Sequence, residues 1–155
     1  MYYTLLTVHL ICAALWLGGA VYERLFLVGN LLKARGSGQE WPLLRMMLST
    51  EMYFMSATVL LLLTGIALTV WSGAGFFRMS WVGFKQGVMV AVLLVFAGYV
   101  APRMKQLKKS LHPKKDRTVT FPESSFETIR EMTRGLDIIH LGVVINVVLA
   151  AWRPF

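Results

Sequence analysis

Four long apolar runs, over residues 3–32, 43–71, 81–100 and 135–152, are separated by short polar stretches. Each run is close to or above the ~20 mostly apolar residues that cross a bilayer as a helix. Helix is the expected form because lipid supplies no hydrogen-bond partner to an exposed backbone. Helical pattern continues past the third run and begins before the fourth. The predicted helices therefore cover about 3–32, 43–71, 81–104 and 125–152. Ser124, followed three residues later by Glu127, makes a capping box for the last of them. The pattern predicts an all-α integral membrane protein, a four-transmembrane-helix bundle forming a single membrane domain over 1–155. The first run lacks a basic region before it and a small-residue cleavage site after it, so it is expected to stay in the mature protein. No internal repeat and no low-complexity tract is present.

Composition agrees. Hydrophobic residues make up 56% of the chain, and the mean hydropathy of +0.59 lies above that of a soluble domain. The net charge of +8 is unevenly spread. Lys33, Arg35 and Arg45 follow the first helix, and Arg103, Lys105, Lys108, Lys109, Lys114, Lys115 and Arg117 follow the third, while only Arg78 lies between the second and third. Positive residues gather on cytoplasmic loops, which predicts both termini outside, on the periplasmic side of a bacterial inner (cytoplasmic) membrane. Tyr2, Tyr3, Trp71, Trp81 and Trp152 would anchor the outer interface. The basic run around His112 is read as topology plus attraction to anionic membrane lipids, worth ~1 kcal/mol per charge near the surface. No aromatic residues interleave it to stack on bases, so no nucleic-acid partner is expected. Cys12 is the only cysteine, which excludes an internal disulfide and a cysteine zinc cluster.

Ionisable residues inside the apolar runs carry the candidate chemistry, because an intramembrane charge is expensive. His9 and Trp16 are seven residues apart, two turns on one face of the first helix. Counting inward from Tyr3 places His9 about 9 Å deep, and counting from Trp81 places Lys85 about 6 Å deep. The two can face each other in the outer half of the bundle. His140, about 18 Å from Trp152, falls near the level of Trp16, so a metal shared by His9 and His140 requires helix tilt or offset. His9 is a ligand or an interhelical hydrogen-bonding residue; Lys85 is functional or snorkels to the interface. His9, Cys12, Ala13, Trp16, Gly19, Ala20 and Glu23 form one stripe. It reads either as a packing seam or as the approach of a flat ligand, and it offers an interface for a homodimer. Near the inner interface lie Glu23, Arg24, Glu51 and Asp137, with Asp137 and His140 at i and i+3 where they can touch. Of the nine methionines, Met47 and Met55 share a face with Glu51. They suit Cu(I) or simply fill gaps between helices.

HLICAALWLGGAVYERLFLV resembles the first-helix signature of the HemJ family of membrane protoporphyrinogen oxidases. The match runs through His9, Trp16, Gly19, Tyr22 and Arg24-Leu25-Phe26. Trp81 and Lys85 in SWVGFKQGVMVAVLLV, and the ending AAWRPF, are similar to later elements of that family. The Leu-Gly-Gly after Trp16 and the TGIAL segment look equally like the broader CopD group of copper-resistance membrane proteins. Departures are a Tyr22-to-Arg24 spacing one residue shorter, Ala97-Gly98-Tyr99 after the lysine helix, and Gly135-Leu136-Asp137 before the last matched helix. The resemblance implies a haem-b-binding oxidoreductase converting protoporphyrinogen IX to protoporphyrin IX. It implicates His9 and Lys85 in function. On this haem reading His9 ligates the iron, Trp16 and Arg24 contact the cofactor, and Lys85 and Asp137 are the catalytic candidates; His140, an addition to the family pattern, could bind the cofactor as a second ligand. The CopD likeness implies copper transport or delivery instead. A non-enzymatic assembly subunit is the third expectation.

Overall fold

The computed structural model describes residues 1–110 and 123–152. The expectations for His112, Lys114, Lys115, Arg117 and the 153–155 ending lie outside the described residues. The described chain is helical, with four helices long and apolar enough to cross a membrane: α1 (Tyr2–Lys33), α2 (Glu40–Ser72), α3 (Trp81–Lys109) and α4 (Glu123–Trp152). α1 packs along α2, α3 packs along α4, and α4 also touches α1.

The ends of the helices follow from local chemistry. α2 opens at Glu40, three residues before the expected Leu43. The first turn tolerates Pro42, since an N–H there has no intrahelical partner, and the Glu40 carboxylate accepts the Gly36 backbone N–H. Gly73, at φ 66°, ends α2 in the left-handed conformation, the usual role of glycine just past a helix. Ser80 starts α3, its Oγ accepting from Gly83 N at 3.3 Å. Ser124 is not a cap: α4 begins at Glu123, and the Ser124 carbonyl accepts from Thr128 Oγ1 at 3.0 Å within the helix. Two wide π-helical turns, Glu23–Val28 in α1 and Phe96–Val100 in α3, interrupt the regular winding. The first turns Glu23, Leu27 and Val28 inward together.

Packing divides the bundle into two zones. The largest fully buried side chains, Val28, Leu31, Leu44, Val100, Leu107, Ile129 and Met132, all lie toward the end rich in lysine and arginine. Ion pairs gather there too: Arg24–Asp137 and Arg103–Glu131, both at 2.8 Å, and Lys108–Glu51 join helices, and Arg35–Glu123 joins the α1–α2 connection to α4. In the other half, leucines and valines such as Leu10, Leu63, Val70 and Leu94 point outward. This is the expected division for helices half in lipid. Apolar burial is driven by water, and lipid tails are as apolar as leucine. Inside the apolar spans the helices instead meet at small residues. A Cβ on Gly135 would sit 2.7 Å from Tyr99 and Val100 side-chain atoms, and one on Gly142 would sit 2.5 Å from Val92. Hydroxyls in the spans are satisfied locally: Thr58, Thr64 and Thr69 each donate to the carbonyl four residues back, at 2.7, 2.6 and 2.9 Å.

Candidate functional site

His9 is half-buried between α1 and α2. Its Nδ1 lies 2.7 Å from Thr64 Oγ1, and Thr64 is 7% exposed. A hydroxyl has one proton to give, and Thr64 places its proton on the Leu60 carbonyl at 2.6 Å. Its oxygen must then accept from His9 Nδ1–H. On this network the proton is assigned to Nδ1, and the Leu61 backbone is a second partner of the ring. Gly65 lies directly against the ring: a Cβ there would be 3.5 Å from His9 Cε1.

Lys85, on the first turns of α3, is half-buried with Nζ 5.6 Å from the Trp81 ring centroid. It lies within electrostatic reach of His9. Next to it, Gln86 donates to Thr69 Oγ1 at 3.3 Å and accepts the Phe77 N–H at 2.7 Å. These bonds tie α3 and the α2–α3 connection to α2. His9, Thr64, Thr69, Lys85 and Gln86 thus gather polar groups from three helices at one end of the apolar spans.

Trp16 is 4% exposed, its ring 6.0 Å from that of Phe54, and its Nε1 has no hydrogen-bond partner. Phe54 also meets His140, at 6.2 Å between ring centroids, so His140 sits at the level of Trp16. Phe54 and Thr64 are ten residues apart on α2, about 15 Å along the axis, so His9 and His140 occupy separate levels. Among the described residues no group of three His, Cys, Asp or Glu side chains converges as a metal site.

Arg24 and Asp137 pair with each other at 2.8 Å, both close to half exposed, and His140 lies within electrostatic reach of both. The expected site residues therefore form two sets. His9 and Lys85 belong to one, Arg24, Asp137 and His140 to the other, with Trp16 enclosed between α1 and α2. His9 and Arg24 are fifteen residues apart, about 22 Å along α1. The small-residue stripe faces α2 of the same chain: a Gly19 Cβ would lie 2.9 Å from Tyr53 and 3.3 Å from Phe54.

Thr64 and Gly65 entered the sequence reading only as part of the TGIAL segment, with no role assigned, and Phe54 escaped it. One signal for Thr64 was available: counting seven residues in from Trp71 gives about 10 Å, the depth of His9.

Fold and site define a multi-pass helical membrane protein with a polar cluster inside its spans. Comparison with protein-family models, curated proteins and solved structures finds no match for the chain.

Proposed function

We propose that the chain is a haem-b-binding membrane oxidoreductase of the HemJ type, oxidising protoporphyrinogen IX to protoporphyrin IX. In this reading it lies in a bacterial cytoplasmic membrane with both termini periplasmic, as the charge distribution favours. The observation that carries the reading is the 2.7 Å contact of His9 Nδ1 with the buried Thr64 hydroxyl. A histidine ligand offers one ring nitrogen while its other nitrogen donates to a fixed acceptor. With Thr64 as that acceptor, Nε2 is the nitrogen His9 would offer.

The residues present fit the group. Nε2 of His9 would hold the iron, and Gly65 backs the ring at ordinary contact distance. Lys85 is the charge suited to a propionate carboxylate at this depth. The unpartnered Trp16 N–H is a buried donor on the His9 stripe. Bound haem b would supply a redox centre whose potential follows from its axial ligand and its burial. The chain's part is to hold the ring nitrogen, neutralise the carboxylate and keep water out. Arg24 lies about 22 Å along α1 from His9, too far to touch the same group, and Asp137 and His140 serve proton movement in this account. The copper alternative draws less support. Met47 is buried in the core and Met55 is 43% exposed, so these thioethers line no common path beside His9.

The visible spectrum of the purified protein, oxidised and dithionite-reduced, tests the reading. His9→Ala should remove the haem bands. Lys85→Ala should lower porphyrinogen turnover more than haem content, and unchanged turnover would reduce Lys85 to an interfacial anchor.

A further inference from the structure

A second ionisable group inside the bundle takes no part in the haem reading. We propose that Glu23 is a neutral carboxylic acid, a site that binds one exchangeable proton where the apolar spans meet the basic end.

Glu23 opens the π-helical turn of α1 and is 5% exposed. Counting from Tyr3 places it about 30 Å along the helix, at the far limit of a hydrocarbon core. Its Oε2 has no partner. Its Oε1 lies 3.3 Å from Thr50 Oγ1. Thr50 donates to that oxygen and, more closely, to the Met47 carbonyl at 2.7 Å. Its single proton is divided between the two, so the bond it gives Glu23 is the longer and weaker share.

The surrounding charges do not stabilise an ionised Glu23. On α1, Arg24 is committed to Asp137 of α4 at 2.8 Å. On α2, Glu51 is committed to Lys108 of α3. His140 of α4 lies with the Arg24–Asp137 pair. None of these gives Glu23 a counter-charge. A buried carboxylate with no cation and only one long, shared donor is strongly disfavoured, and such a group takes up a proton instead. The unpartnered Oε2 then carries no charge, which costs far less to bury. The inference stands whether or not the protein binds haem.

Infrared spectroscopy of the full-length protein in mild detergent at neutral pH tests it. The expected result is a carboxylic acid C=O band that shifts in D2O and is missing from Glu23→Gln. Absence of the band, or its persistence in Glu23→Gln, would overturn the proposal. A second measurement needs no variant. Dicyclohexylcarbodiimide reacts with protonated carboxyls in apolar surroundings, and peptide mass mapping of the treated wild-type protein should find its adduct on Glu23. Adducts confined to other acids would overturn the assignment.

Discussion

Thr64 does for His9 what a carboxylate or a backbone carbonyl does for many ligand histidines. It fixes the ring and decides which nitrogen carries the proton. Thr64→Val keeps the shape and removes the acceptor. It should weaken haem binding by roughly 10- to 100-fold, the usual effect of losing such a partner, measured by haem titration of the apoprotein. His9 and Trp16 were legible in the sequence because a spacing of seven puts them on one face without knowledge of any other helix. Thr64 was not, because its role depends on the register of α2 against α1, which spacing along one helix does not contain. The Arg24–Asp137 pair was legible only in part. Both residues were expected near the inner interface with charges on neighbouring helices, but that they pair with each other was not.

At the scale of elements, α3 and α4 meet through Gly135 and Gly142, seven residues apart on one face of α4. Gly142→Leu would drive a branched side chain into Val92. Overpacking typically costs ~1–3 kcal/mol, so the thermal midpoint in detergent should fall, with α3 and α4 the pair that separates. An unchanged midpoint would mean that the two helices do not pack through this seam. The helix positions could be read from hydropathy because length against bilayer thickness is a one-dimensional question. The π-helical turns could not. Nothing in ERLFLV or FAGYV marks a wide turn, and the buried positions on either side of each turn are set by neighbouring helices. Glu40 is similar: its cap depends on where Gly36 brings the chain.

The molecule as a whole is a membrane bundle with a water-driven core at one end. Leu31 is fully buried at the basic end, while Leu63 is 59% exposed in the apolar span of α2. Leu31→Ala should cost ~2–5 kcal/mol, whereas Leu63→Ala should stay within ~0.5 kcal/mol. Comparing their thermal midpoints in one detergent checks the division. Equal losses would contradict it. Hydrophobic content alone did not reveal this arrangement, since lipid-facing and buried leucines look alike in sequence. The clustering of charge near the ends of the spans was the visible trace of the water-side zone.

The most direct test of the account is the visible spectrum of wild-type protein and His9→Ala, each purified in mild detergent, supplied with haem, and reduced with dithionite. The account predicts a Soret band and sharp reduced bands in the wild type, both lost in His9→Ala while the variant remains folded and helical. A wild type that takes up no haem, or a His9→Ala spectrum equal to the wild type, would contradict it.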